Sequence, residues 1–571
     1  MKSMEFYLGI DFGTTNSAIA KGGIEAYSGK ILPEVFPIDM DGTPVPQQIV
    51  PSVAMYKTGE RGCQGVGFSA KQHLKHPDPT KGYVAIKSVK LQLGDERVAN
   101  ADWLRPEEVA ADILRFMKRS FEQKWNLSNV KKAVIGIPAS FPADMCDKTV
   151  QAGKLAGFSD VTLIVEPQAA LLDFMHEQSK YEGSSQIIDF TEPKIILIFD
   201  LGGGTLDVSL VKASQTTYAS KSGKPLSAIN YEALGLSRFT TIGGDLFDTY
   251  LADFFKDNFR KQTGFDINSM PDESGRSRTL AMLLEYAEAT KHNLTFVVNR
   301  LINQENLNSF EAMDNTSINI VIPRLVELPS GSLDFSYELH YKDYVEIIEP
   351  LLGFELSLSD FENDKKLYQL LQDPHSNNAI IPIFDALGQA KRQFGNTPKV
   401  DAILLNGGMA RVHIIKERLK HLFDLEQVYE ITHPDLSVAQ GAVIHHYNLT
   451  HNLDHSRNIL AESILLEGEG GYIELVKEGA KYPTQKPILH PGVVSIPRDG
   501  ITHINLPLYR GKSGQKIPII DRMVQLKDKA AYIKKGDALD IQIEIDKNRA
   551  LKFEAWLHDN PQIRFDVVIL I

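Results

Sequence analysis

Apolar residues recur along this chain at two periods, and the change from one to the other organises it. Between 106 and 124, Val109, Ile113, Met117 and Phe121 keep a four-residue spacing, which predicts an amphipathic helix. Pro106 suits its first turn, and Glu107 and Glu108 complement the positive end of its dipole. Helices are likewise expected over about 142–156, 168–178, 243–263, 278–295 and 412–422. The runs 131–137 and 400–405 read as buried strands, stopped by Pro138 and by Asn406-Gly407-Gly408. Residues 50–56 and 64–68 read as short strands, and 297–350 alternates more like strand than helix. The acidic stretch 355–380 reads as an exposed insertion.

Near residue 450 the pattern changes to period two. Ile541, Ile543 and Ile545 alternate with Gln542 and Glu544, Leu551, Phe553, Ala555 and Leu557 do the same, and Phe565, Val567 and Ile569 close the chain. Such alternation between short turns predicts an antiparallel β domain with one buried face. The expected division is 1–447 for an α/β region, 448–462 for a linker and 463–571 for the β domain. His445, His446, His451 and His455 then read as a solvated polar segment, because no carboxylate or cysteine set completes a coordination shell around them.

In the α/β region a single phrase occurs twice. Gly9-Ile10-Asp11-Phe12-Gly13-Thr14-Thr15-Asn16-Ser17 is echoed by Ile198-Phe199-Asp200-Leu201-Gly202-Gly203-Gly204-Thr205-Leu206-Asp207. In each, an apolar strand delivers a carboxylate, a turn of Gly and Thr follows, and a second strand leads away. Glycines let consecutive backbone N–H groups converge on an anion, and Thr hydroxyls add donors. The aspartates would repel phosphate unless a cation stood between. One such hairpin is an ordinary turn, but two in register read as a clamp on a magnesium–nucleotide. The doubling also predicts an α/β fold of two related halves.

Composition narrows the partners. A net charge of −12 over 571 residues argues against nucleic acid. Cys63 and Cys146 alone suggest no disulfide framework and fit a reducing compartment. No signal-peptide or membrane-spanning pattern is apparent, so a cytoplasmic, non-membrane protein is expected and the glycosylation sequons at Asn126, Asn293 and Asn448 read as chance. Gly511-Lys512-Ser513 resembles the end of a P-loop, but Leu506 stands where that motif needs Gly, so a turn is expected.

These hairpins, with Ile135-Gly136-Ile137-Pro138-Ala139-Ser140-Phe141, Glu166-Pro167-Gln168-Ala169-Ala170, Gly243-Gly244-Asp245-Leu246-Phe247-Asp248 and Asn406-Gly407-Gly408-Met409-Ala410-Arg411, resemble one family. They are similar to the ATPase domain of the seventy-kilodalton heat-shock chaperones, within the actin and sugar-kinase superfamily. The resemblance covers 5–447 well and reaches 460–571 faintly, where it implies a peptide-binding β-sandwich. It implies a slow ATPase using ATP, ADP and Mg²⁺. Gly13, Thr14, Thr15 and Asn16 would face the phosphates from one hairpin, and Gly202, Gly203, Gly204 and Thr205 from the other. Asp11, Asp200 and Asp207 would surround Mg²⁺ through its waters. Lys87, in Val84-Ala85-Ile86-Lys87, falls at the catalytic lysine, Asp200 or Glu166 would orient the attacking water, and Thr205 completes the catalytic set. Gly243, Gly244, Glu288, Lys291, His292, Thr295, Gly407, Gly408 and Arg411 correspond to the nucleoside side, with Arg411 stacking on the base.

Departures from the family pattern shape the expectation. His292 replaces Arg and Met409 replaces Ser beside the base; Cys146 replaces an Arg that passes the ATP signal between domains. Thr162, Val165 and Gln168 replace residues that help engage J-domain co-chaperones, which puts that partnership in doubt. The interdomain segment 459–466 is apolar without the usual leucine-rich form, and a helical lid is not expected. The implied partners are a client polypeptide and a nucleotide-exchange factor. Two other readings stand beside the chaperone: a nucleotide-gated scaffold that turns over little, and a small-molecule kinase of the same superfamily.

Overall fold

Both Asp-led segments form β-hairpins, and each hairpin founds a sheet. The computed structural model describes residues 6–24, 31–75, 82–127, 129–180, 187–219, 225–237, 240–305, 316–372, 378–425, 428–468, 470–511, 516–519 and 521–569. Strand Tyr7–Phe12 pairs antiparallel with Asn16–Ile24, and Lys194–Leu201 with Leu206–Ala219. The first sheet runs Ile31–Val35, Asn16–Ile24, Tyr7–Phe12, Lys132–Ile137, Asp160–Val165, with Val50–Pro51 attached to its second strand. The second runs Pro225–Leu236, Leu206–Ala219, Lys194–Leu201, Ala402–Asn406, Tyr429–Glu430. Each is therefore an antiparallel meander continued by two parallel strands, and the repeat in the sequence is a repeat of topology.

Parallel neighbours need crossover connections, and helices supply them. Ala143–Leu155 links Lys132–Ile137 to Asp160–Val165, and His413–Phe423 links Ala402–Asn406 to Tyr429–Glu430. Pro106–Lys124 forms where its spacing predicts, burying Val109, Ile113, Met117 and Phe121. Each half ends in a helix, Glu166–Gln178 or Ser437–Thr450, and these two pack together. The approach of Ser437–Thr450 to Glu166–Gln178 on one side and to the strand Tyr7–Phe12 on the other leaves no room for side chains at two glycines. A Cβ on Gly441 would lie 1.9 Å from the Ala169 carbonyl oxygen, and one on Gly9 2.3 Å from that of Ala439.

Several expectations need correction. His445 and His446 are buried on the helix Ser437–Thr450, and Leu8 N donates to His446 Nδ1 at 3.0 Å. The helix is apolar around most of its circumference because it lies between the first sheet and Glu166–Gln178, so no solvated face marks it. The acidic stretch after 355 folds into Leu358–Glu362 and Asp364–Gln372, whose Phe361 and Leu367 enter the second core while Glu355 and Glu362 stay exposed. Helix Glu273–Glu305 outruns its expected span, and the alternating region resolves into the hairpin Ser317–Leu328 and Gly331–His340 followed by helix Tyr341–Leu352.

The C-terminal region is a β-sandwich. One sheet runs Gly471–Val476, Ser463–Gly468, Leu508–Gly511, Ile517–Pro518. The other runs Ile488–Ser495, Ala538–Ile545, Leu551–Leu557, Asn560–Ile569, Arg522–Gln525, His503–Leu506. Leu466, Leu475, Leu508, Val524, Ile541 and Ile543 share its core, as the period-two pattern predicts. The fold is thus a two-lobed α/β region followed by a β-sandwich. Lys512 and Ser513, where the sequence predicts a turn, lie outside the described residues. Among the described residues no helix is long and apolar enough to cross a membrane.

Candidate nucleotide cleft

The two Gly/Thr turns meet face to face. A Cβ on Gly203 would lie 2.1 Å from Thr15 Oγ1, and one on Gly204 2.6 Å from Thr14 Cγ2. The second turn also seats the next helix, Gly244–Thr263, because Gly244 N and Asp245 N donate to the carbonyls of Gly202 and Gly203 at 3.0 and 2.7 Å. Gly407, at φ 81°, presses against the strand end of the second hairpin: a Cβ there would fall 2.4 Å from Leu201 O. These contacts frame a cavity of about 470 Å³ between the halves.

Acidic groups crowd its phosphate end. Asp11, Glu166 and Asp200 line the cavity. Burial, then the charge of Glu166, raises the Asp11 carboxyl to about 7, while Lys90 opposes the shift. Burial and Glu166 also push Asp200 well above the ordinary carboxylate range, although Asn406 Nδ2 donates to its Oδ2 at 2.8 Å. Asn406 is itself held by Ser437 Oγ, which donates to its Oδ1 at 2.8 Å. Concentrated buried negative charge of this kind is a deficit that a divalent cation would fill.

Asp207 stands behind the other two aspartates. It pairs with Asp200 across the hairpin, where the first hairpin sets Ala18 opposite Asp11, so it breaks the symmetry of the repeat. Its side chain is buried just outside the cavity lining, with Oδ1 accepting from Ser140 N at 3.2 Å and Oδ2 lacking a hydrogen-bond partner among the described residues. Burial and Glu166 raise its carboxyl to about 6.

At the phosphate end of the cleft the lysine is Lys90, not Lys87. After the strand Tyr83–Ile86 the chain reverses at Ser88, φ 53°, into the short turn Val89–Gln92. That reversal exposes Lys87 and leaves it outside the cavity lining, while Lys90, 3% exposed, enters and donates to Glu166 Oε1. The sequence offers two lysines three apart after the same strand, and only the turn between them distinguishes their directions.

At the other end, Glu288, Lys291, His292 and Thr295 project from helix Glu273–Glu305 and line the cavity with Gly407, Gly408 and Arg411. Lys291 Nζ donates to Gly244 O at 3.2 Å and to Asp248 at 2.8 Å, which ties that helix to Gly244–Thr263. Arg411 pairs with Asp435 at 2.9 Å, and Asn299 Nδ2 donates to its carbonyl at 2.8 Å. Burial lowers the His292 pKa. Lys71, on helix Phe68–Lys75 of the first half, reaches Glu288 at 3.5 Å and bridges the cleft. Gly13, Thr14, Thr15, Asn16, Gly202, Gly203, Thr205 and Gly244 line the cavity, whereas Gly204 and Gly243 pack behind it. Sequence reasoning missed Lys90, Asp248, Phe296, Asn299, Asn406 and Asp435 as lining residues. For Asn406 and Asp248 the signal was present in motifs already singled out; for Phe296 and Asn299 it was the continued helical spacing beyond 295.

Comparison with known proteins agrees with this architecture. A family model described as Hsp70 protein matches residues 7–326. Among curated relatives, Chaperone protein DnaK of Mycoplasma mobile is 28% identical over 487 residues, 84% of this chain and 65% of its own length. Chaperone protein DnaK of Mesomycoplasma hyopneumoniae is 30% identical over 445 residues, 77% of this chain and 58% of its own. The chain therefore spans less than two thirds of the length of these relatives.

Proposed function

Since the chain belongs to the Hsp70 family, we propose that it binds ATP with magnesium in this cleft and hydrolyses it slowly to ADP and phosphate. The bound state would govern how the β-sandwich meets a client polypeptide. The observation that carries this reading is the contact of two Asp-led hairpins, through Gly203 and Thr15, over a cavity holding Asp11, Glu166, Asp200 and a buried lysine. We divide the chain functionally into an ATPase region, 1–447, a connecting segment, 448–462, and a client-binding region, 463–571.

The residues present fit the group they would hold. Bound magnesium would supply the positive charge that the buried acids lack and polarise phosphate oxygens. Asp11 and Asp200, with Asp207 behind them, would hold its water shell. Thr14, Thr15, Thr205 and the backbone of Gly203 would orient the phosphates, and Lys90 would neutralise charge developing on the transferred group. With Oδ2 of Asp200 fixed by Asn406, we assign Oδ1 to orienting the attacking water. Glu166 holds Lys90 in place. On the nucleoside side we assign Glu288, Lys291, His292, Thr295 and Arg411, with Gly407 and Gly408 giving close backbone approach. Thr162 Oγ1 accepts from Lys547 Nζ at 3.3 Å and Gln168 Oε1 from Asn458 Nδ2 at 3.3 Å. That engagement supports our reading that ordinary J-domain partnership is in doubt here, and a nucleotide-exchange factor stays among the proposed partners.

Calorimetric titration of ATP and Mg²⁺ into the full chain, followed by single-turnover phosphate release, tests the reading. One site with measurable heat and slow release are expected. Folded protein that gives no heat would overturn it. Binding without release would move the chain to the scaffold reading, and sugar-stimulated ADP release to the kinase reading.

A further inference from the structure

The turn between the strands Ala538–Ile545 and Leu551–Leu557 carries Lys547, Asn548 and Arg549, and all three reach from the sandwich into the first half of the chain. Leu163 N donates to Asn548 Oδ1 at 3.0 Å, and Asn548 Nδ2 donates to Val161 O at 3.1 Å, so Asn548 caps the exposed edge of one strand. Arg549 goes deepest. It is 2% exposed, its Nε donates to Tyr482 Oη at 2.6 Å and its Nη1 to Phe141 O at 2.6 Å. The Tyr482 ring lies 4.9 Å beneath the guanidinium, and the buried Cys146 thiol is its neighbour.

A buried guanidinium is costly without an opposing charge. The carboxylate of the cleft within its electrostatic reach is Asp207. Phe141, which accepts from Arg549, directly follows Ser140, whose N–H donates to Asp207 Oδ1. Arg549 Nη2 and Asp207 Oδ2 are both buried, and neither has a hydrogen-bond partner among the described residues. A cation from the sandwich and an anion from the phosphate end of the cleft thus converge on one backbone step.

We propose that Arg549 is a positioning residue that couples docking of the sandwich to the phosphate end of the cleft, by holding the Ser140-Phe141 step against Asp207. The proposal rests on the nucleotide-binding reading above. Charge brought to the carboxylate cluster by a ligand alters the field at Arg549, so docking and ligand affinity change together. Linkage makes the effect reciprocal. A plain interface anchor would instead stabilise docking equally with and without nucleotide.

The experiment is hydrogen exchange of the full chain over 139–141 and 546–551, with and without ATP and Mg²⁺, alongside calorimetric ATP affinity. In the wild type, ATP is expected to change protection of both segments by about fivefold or more. Arg549→Ala should reduce that ratio to below about twofold and change ATP affinity by the matching factor. Asn548→Ala should loosen docking in both states and leave the ratio intact. Should Arg549→Ala fail to fold, Arg549→Lys carries the test, because an ammonium lacks the planar fork that serves Tyr482 Oη and Phe141 O together; its ratio should also fall. An unchanged ratio in the Arg549 variants overturns the proposal alone, whereas a wild type that binds ATP with no change in protection overturns it together with nucleotide control of the sandwich. A wild type that binds no ATP removes the nucleotide reading as well.

Discussion

Replacing Lys90 by Met removes one charge and keeps most of the volume, so it isolates what the ammonium does. Lys90 is the cation lining the cavity beside Asp11, Glu166 and Asp200, and its Nζ is bonded to Glu166. Removing one member of a buried ion pair costs about 3–5 kcal/mol when the partner stays charged. Here Glu166 lines a cleft that water can enter and solvate it, so the stability loss should sit at the low end of that range. Losing a preorganised charge at the reacting centre typically costs about 10²–10³ in rate, or about 2.7–4 kcal/mol. Lys90→Met should therefore slow single-turnover ATP hydrolysis at least about a hundredfold, while calorimetry still detects ATP binding. Lys87 is exposed and acts on Asp245 of the cleft from the solvent side, so solvent screens it. Lys87→Met should change the rate less than about threefold. Equal defects in the two variants, or a Lys90→Met protein that binds ATP and hydrolyses it at the wild-type rate, would refute the assignment.

Two further outcomes follow from single positions. Gly203→Ala places a methyl 2.1 Å from Thr15 Oγ1, forcing the hairpins apart, and should weaken nucleotide binding at least about tenfold in a fluorescent-nucleotide titration, since misplacement by about 1 Å is costly; near wild-type affinity would show that the hairpins need not touch. Asp173, buried with Oδ1 unpartnered among the described residues, has its carboxyl raised to about 8, first by burial and then by Glu177. A raised folded value means that its contribution to stability is fully present below the unfolded value of about 3.9 and is lost as pH rises towards about 8. Asp173→Asn should therefore gain stability over the wild type in urea melts by about 1.4 kcal/mol per pH unit across that window, and a gap independent of pH would contradict the burial argument.

What the sequence disclosed was whatever short-range chemistry dictates. Helix Pro106–Lys124 was readable because one face is buried and the other is wet, which imposes the spacing of Val109, Ile113, Met117 and Phe121. Helix Ser437–Thr450 was not, because it is enclosed on nearly all sides and has no wet face to set a period. The acidic residues after 355 concealed Phe361 and Leu367, since charge on the outer face says nothing about the inner one. At the site the same division holds. The paired hairpins were visible as repeated residues, but Lys87 and Lys90 could be told apart only by the reversal at Ser88, and Asp207 only by its register opposite Asp200.

That asymmetry bears on how the cleft works. A duplicated hairpin makes a symmetric clamp, yet one half sets Asp207 where the other sets Ala18, and Asp207 is the carboxylate that Ser140 and Arg549 approach from behind. The residue that breaks the repeat is thus the one connected to the far domain. If coupling ran through the symmetric contacts, Thr14 and Thr15 against Gly203 and Gly204, either half would serve equally well as the sender. Under our reading only the second hairpin can send it, so Asp207→Ala should remove the ATP-dependent protection of 546–551 even where enough affinity remains to saturate the cleft. Full ATP-dependent protection in saturated Asp207→Ala protein would return the signal to the symmetric contacts.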